Sequence, residues 1–322
     1  MRIDDIKLIE RLKVTQWPVD VVLDTDTYNE IDDQFALSYI LCSPEEMNLK
    51  AITVAPFKNY RAATPAIGME RSYAEVMNLL TLSDREELKE IVYKGSTQYL
   101  PDENTYVESE AARQIVKLAL EQPSENPLYV IAIGAITNVA SALLMEPKIA
   151  DKIVVVWLGG HAHFWPNNFE FNCKQDVTGA RVVFNSAAPL VQLPCMGVVS
   201  AFTTTKYEIV HHLSGKNKLC DYLVKAITEE AVECRRGDYW SKPIWDVCAV
   251  GWLMKGEFME SQIVSRPVPQ YDHRWSFDDN RPPMGYVYYI HRDRLFGDLV
   301  EKLGGKAEKT SGNTDSVWKI LG

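Results

Sequence analysis

Short apolar runs rich in β-branched residues alternate along the chain with longer segments whose apolar positions recur three and four apart. Residues 19–24 (Val-Asp-Val-Val-Leu-Asp) read as a buried strand, and 49–54, 90–93, 128–133, 152–158, 189–193 and 285–291 read the same way. Over 32–41, Phe35 and Tyr39, Ala36 and Ile40, and Leu37 and Leu41 fall at i,i+4 spacing, which predicts a helix. Further helices are predicted over 61–80, 109–121, 137–146, 177–186, 218–235, 243–254 and 293–303. Ser43-Pro44-Glu45-Glu46 has the spacing of a capping box with proline at the first helical position, and predicts one more helix start. Strands alternating with helices predict an α/β fold, an open, mostly parallel, Rossmann-like sheet with helices on both faces. No Gly/Ser linker, repeat or low-complexity tract interrupts the pattern, so residues 1–322 read as a single domain. The polar stretch 268–284 is the candidate for a mobile surface loop.

Composition narrows the partners. A net charge of −10 and the lack of a long basic run argue against nucleic acid or an anionic membrane. No apolar stretch reaches the roughly 20 residues of a membrane helix, and the opening segment lacks the apolar core of a signal peptide. Cys42, Cys173, Cys195, Cys220, Cys234 and Cys248 are scattered with no C-x-x-C pair, and are expected as reduced, packed thiols of a cytoplasmic protein.

The chemistry concentrates after the first strand, in Asp24-Thr25-Asp26-Thr27-Tyr28-Asn29-Glu30-Ile31-Asp32-Asp33. Open α/β sheets bind ligands outside the carboxyl ends of their strands, where this segment falls. A polar turn with Asp32 and Asp33 at a helix N-terminus accounts for two of the aspartates. Asp24 and Asp26, fused to an apolar strand, need more. Carboxylates this close repel one another, and a hard cation such as Ca²⁺ or Mg²⁺ relieves the repulsion. D-x-D-x-T after a strand is also the first motif of haloacid-dehalogenase-type phosphatases, but the late acidic pair of those enzymes has no convincing counterpart.

Over roughly residues 18–304 the chain resembles the inosine–uridine-preferring nucleoside hydrolases. Their first motif, D-x-D-x-x-x-D-D, is two residues longer here, so the turn holding Tyr28 and Asn29 is larger. Residues 132–140 (AIGAITNVA) resemble a second landmark, and Leu158-Gly159-Gly160 a strand-end glycine pair. Glu170-Phe171-Asn172 matches an E-F-N triplet, and Asp246 stands where the family has an aspartate opening a helix. The resemblance implies a Ca²⁺ ion held by Asp26, Asp33, Asp246 and the backbone carbonyl of Ile133, with Asp24 supporting the cluster. It implies Asp32 as the general base toward water, and Glu170 and Asn172 as partners of the ribose hydroxyls. The family's asparagine upstream of E-F-N has no clear counterpart, with His163, Asn167 and Asn168 nearby. Val54-Ala55-Pro56-Phe57 replaces residues tied to the 5′-hydroxyl, leaving Lys58 or Asn59 as substitutes.

Trp245 stands where broad or pyrimidine-active members carry histidine. It resembles the purine-preferring branch, in which an indole stacks on the base. Tyr99, Tyr106, Phe164 and Trp165 are candidates for a second aromatic. Tyr239 and Trp240 are candidates for the base pocket, and His273 and Arg274 for a lid. The expected activity is Ca²⁺-dependent hydrolysis of a small-molecule ribonucleoside, purine in preference, by a homo-oligomer (dimer or tetramer). The alternatives are hydrolysis of pyrimidine or other N-ribosides, and a non-catalytic ribose- or nucleoside-binding protein.

Overall fold

A computed structural model describes residues 3–123 and 125–305. Residues 1, 2, 124 and 306–322 of the expected single unit lie outside the described residues. In chain order the elements are α1 (Ile3–Arg11), β1 (Val19–Thr25), α2 (Asp32–Leu41), β2 (Met47–Val54), α3 (Pro65–Leu82), β3 (Val92–Tyr93), α4 (Glu110–Glu121), β4 (Leu128–Ala132), α5 (Thr137–Met145), β5 (Ile153–Leu158), α6 (Phe171–Gln175), α7 (Val177–Asn185) and β6 (Leu190–Leu193). Then follow β7 (Thr203–Thr205), α8 (Lys206–Leu213), α9 (Lys218–Glu233), β8 (Ser241–Pro243), α10 (Val247–Gly251), β9 (Met259–Ser265), β10 (Val268–Pro269), β11 (Trp275–Ser276), β12 (Pro283–Ile290) and α11 (Arg292–Gly304).

The central sheet runs β3-β2-β1-β4-β5-β6-β12-β9, parallel throughout except for β9, which pairs antiparallel with β12. Period-2 alternation in the strands feeds two cores. Val21 and Leu23 of β1, Ile131 of β4 and Val156 of β5 pack on one face. Val22, Val130 and Val155 pack on the other. Helices cover both faces, which is why these strands read as unbroken apolar runs. All ten residues of α2 are buried, so it is apolar on every side rather than amphipathic. No described helix is long and apolar enough to cross a membrane.

Three local expectations are corrected. Ser43 does not start a helix. Its hydroxyl donates to the Tyr39 carbonyl at 2.7 Å and closes α2, while Glu46 reaches Lys255 N at 2.9 Å, so 43–46 is a turn into β2. The helix expected over 243–254 shortens to Val247–Gly251, because 241–243 is spent pairing with β7. The stretch 268–284 is tied down rather than free: β10 pairs with β11, and Trp275 packs on Phe184 with ring centroids 5.5 Å apart. The pattern also missed α1, α8 and β9. β9 is an edge strand with mostly exposed residues, so it carries little hydrophobic signal.

Candidate active site

Strand order reverses between β1 and β4, and the carboxyl ends of those strands open a crevice there. Asp26 follows β1 directly, Ile133 follows β4, and Leu158 ends β5. A cavity of about 250 Å³ sits over these ends. Asp26, Asp32, Asp33 and Asp246 line it, as do Ile133, Glu170, Asn172 and Trp245. The eight residues singled out from the sequence therefore share one cavity.

Carboxylate oxygens of Asp32, Asp33 and Asp246 lie within 4.8 Å of one another. Asp32 and Asp33 come from the first turn of α2, and Asp246 immediately precedes α10, so the helix packing brings them together. Asp33 accepts from the Thr25 hydroxyl and from Asp26 N at 3.2 Å. Both carboxylate oxygens of Asp26 are buried without a hydrogen-bond partner. Gly134 allows this approach, since a Cβ there would stand 3.2 Å from Asp26 Cγ and 2.9 Å from Ala55 Cβ. Asp24 plays a different part: its Oδ1 accepts from Thr53 at 2.7 Å and Asn138 at 2.8 Å, binding β1 to β2 and α5.

The electrostatics follow from burial. Desolvation, with Asp33, Asp32 and Glu30 nearby, holds the Asp26 carboxyl well above the usual range. Desolvation raises Asp32 to about 8 against the opposing pull of Lys242, and raises Asp33 to about 7. Asp246 is raised by burial and by Asp32, Asp33 and Asp26. The four aspartates, Asp26 among them with both oxygens orphaned, and the Ile133 carbonyl form an all-oxygen donor set. That set fits a hard divalent cation.

Glu170 caps α6 and accepts from Gly160 N, Cys173 N and Asn172 N at 2.8, 2.8 and 2.9 Å. Asn172 Nδ2 donates to the carbonyls of Ile133 and Leu158, both at 3.0 Å. The E-F-N triplet thus ties the ends of β4 and β5 together.

Two residues the sequence reading passed over stand out. Lys242 is 1% exposed, with Nζ 2.6 Å from Glu30 and 3.3 Å from Glu230. The same ammonium lies 5.0 Å from the centroid of the half-buried Trp245 ring. Glu30 sits in the enlarged first turn and also lines the cavity. Isolated lysines give no local sequence signal, and β8 and its partners meet only in the tertiary fold.

Other candidates fall elsewhere. Tyr239 is exposed and Trp240 is in the core. Tyr99, Tyr106, Phe164 and Trp165 do not line the cavity, whose other ring-bearing residues besides Trp245 are His161, Phe169 and Phe171. His273 packs edge-on against Phe169 at 4.6 Å, while Arg274 pairs with Asp272 on the surface. His163 bonds Gln192 at 3.0 Å away from the cavity, Asn167 accepts from Phe169 N, and Asn168 accepts from His161 N. Asn59 donates to Asn29 at 2.7 Å, and neither Lys58 nor Asn59 reaches the cavity wall. All six cysteines are free.

The model of the inosine-uridine preferring nucleoside hydrolase family matches residues 21–274. The chain belongs to this family. RihA of Salmonella paratyphi A, a pyrimidine-specific ribonucleoside hydrolase, is 25% identical over 262 residues, 74% of this chain and 80% of the relative. RihA of Escherichia coli is 25% identical over 270 residues, covering 75% and 81%. Among solved structures, the plant nucleoside hydrolase PpNRh1 superposes with a TM-score of 0.73 at 21% identity, over 90% of this chain and 100% of that one. A purine-preferring ribonucleoside hydrolase from Gardnerella vaginalis gives 0.71 at 20% identity, over 89% and 98%. These superpositions extend the fold likeness beyond the matched segment. Nucleoside hydrolases cleave N-glycosidic bonds, so the crevice at the β1–β4 reversal is the place to look for that chemistry.

Proposed function

We propose that this nucleoside hydrolase is Ca²⁺-dependent and releases free base and ribose from ribonucleosides, with purine ribonucleosides favoured. The carboxylates of Asp32, Asp33 and Asp246 within 4.8 Å of one another carry this reading. Asp26, Asp33, Asp246 and the Ile133 carbonyl would hold the cation. When bound, it supplies the positive charge that lets the carboxylates stay ionised together and that acidifies water in the cavity.

The chain's own groups do the rest. Asp32 accepts the proton of the attacking water, and the Lys242 ammonium favours its charged form. Asn172 offers its amide oxygen to a ribose hydroxyl. Glu170, with three backbone N–H groups already bound, keeps its remaining acceptor site for another. Fixing the sugar this way favours the oxocarbenium-like geometry through which such bonds break. The Trp245 indole offers a stacking surface to the base.

Trp245 supports purine preference, whereas the pyrimidine-specific RihA relatives favour a pyrimidine reading. Ribose release from a panel of ribonucleosides, with and without a calcium chelator, separates the two. Chelator-sensitive release from inosine, adenosine or guanosine in excess of uridine and cytidine is expected. Release from uridine and cytidine alone overturns the purine preference, and release indifferent to chelation overturns the metal.

A further inference from the structure

A second cavity, of about 170 Å³, opens between α2, α3 and α9, and none of the readings above uses it. Glu30 belongs to its wall and to the wall of the active-site cavity, so the two adjoin. Glu75 of α3 and Glu229, Glu230 and Glu233 of α9 complete a set of five lining carboxylates. Lys242 pairs with Glu30 at 2.6 Å and with Glu230 at 3.3 Å, and Arg61 pairs with Glu233 at 2.8 Å. Lys225 approaches Glu229 only at 3.9 Å, where both side chains are exposed. The wall thus keeps an excess of negative charge.

Two buried acceptors in this wall point to a missing donor. Glu230 is 6% exposed; its Oε1 takes the Lys242 ammonium, and its Oε2 has no hydrogen-bond partner. Gln34, also 6% exposed, turns its amide nitrogen to Glu75 and leaves Oε1 without a partner. Both side chains line the cavity, and each orphaned oxygen is the atom its residue's own partner does not use. A buried acceptor left unmade loses free energy that a bound N–H or O–H recovers. A metal ion is a poor occupant. Among the described residues, the acidic group whose ligand oxygens all lie within 4.8 Å of one another is Asp32, Asp33 and Asp246, and the five glutamates here do not converge in that way. Between the acids the wall is apolar, with Ile31 and Ala226. Acceptors beside apolar side chains match an ammonium on a short alkyl stem. We infer that this cavity is a binding site for a small primary amine, whose ammonium donates to Glu230 Oε2 and Gln34 Oε1 while its stem lies against Ile31 and Ala226. The inference does not depend on the riboside reading.

Calorimetric titration of the full chain, in the presence of calcium, tests it with two probes. n-Butylammonium carries the charge and three N–H donors, whereas tetramethylammonium carries the charge and none. n-Butylammonium should bind one to one and about tenfold or more tightly than tetramethylammonium, the scale of a charge-assisted hydrogen bond. Glu230→Gln keeps the shape and an oxygen for Lys242 but removes the charge, and should weaken n-butylammonium about tenfold; Gln34→Met should do the same. Circular dichroism and melting temperature check the fold of each variant, and the comparison of the two probes on the parent protein decides the matter even where a variant does not fold. Equal affinity for the two probes overturns the inference, as does undiminished n-butylammonium binding in folded Glu230→Gln and Gln34→Met. No heat of binding at millimolar amine also overturns it and assigns the two oxygens to buried water.

Discussion

Removing divalent cation should make the stability of this protein fall as pH rises. Three carboxylates with oxygens within 4.8 Å give three repulsive pairs. At an effective dielectric constant of about 20, each ionised pair costs roughly 3.5 kcal/mol, about 10 kcal/mol in all. A typical domain has a total stability of about 5–15 kcal/mol, so the cluster cannot stay fully charged alone. Without a cation it takes up protons, with Asp33 raised to about 7 and Asp32 to about 8. Between the ordinary carboxylate pKa near 4 and these values, the folded chain holds protons that the unfolded chain has released. Stability therefore decreases with pH across that window. The assay is thermal unfolding at pH 5.5 and pH 8, in chelator and in millimolar calcium. In chelator the midpoint should drop between the two pH values by about 5 °C or more, corresponding to a few kcal/mol. Calcium should restore it at pH 8 and matter little at pH 5.5, where protons already neutralise the site. A pH 8 midpoint equal in chelator and in calcium would refute the assignment of this cluster as a cation site.

Asp32→Asn should cut turnover by about 10²- to 10⁴-fold, the usual worth of a general base, with ribose binding and melting temperature preserved. Turnover within threefold of the parent in steady-state assays rejects Asp32 as the base. Lys242→Met strands Glu30 and Glu230 beside each other and should cost about 3–5 kcal/mol in urea unfolding, with part recovered in Lys242→Met/Glu230→Gln. A loss under 1 kcal/mol in the single variant means the buried ammonium is not holding the two acids. His163 is pushed down to about 4 by burial, so the unfolded chain binds its proton first. The stabilisation is complete above pH 6.5 and lost toward pH 4, by at most about 3 kcal/mol. His163→Gln should flatten the acid limb by that amount in urea titrations at pH 7 and 4.5, and an unchanged limb excludes the imidazole as its source.

What the sequence disclosed and what it withheld divide along physical lines. The parallel strands are buried on both faces and announce themselves as unbroken apolar runs, while β9, exposed at the edge, has no such run. Asp26, Asp32 and Asp33 were legible from their places just after β1 and in the first turn of α2, whereas Asp246 was reached only through the family resemblance, because the predicted helix over 243–254 put it inside a helix rather than before one. Glu170 and Asn172 were legible as a motif, but their hydrogen bonds to backbone at the ends of β4 and β5 were not, since those partners are main chain and carry no letter. Lys242 was invisible for a related reason. A lone lysine is ordinary surface in any local window, and only the meeting of β8, α9 and the enlarged first turn makes it 1% exposed between two glutamates. That meeting gives the two additional residues of the first turn a physical consequence. The longer turn brings Glu30 to the cavity wall, and Glu30 binds the ammonium that covers Trp245. One face of the indole is thereby occupied from within the protein. The enlarged turn and the tryptophan, separate departures in the sequence, are joined through Lys242 into one wall of the site.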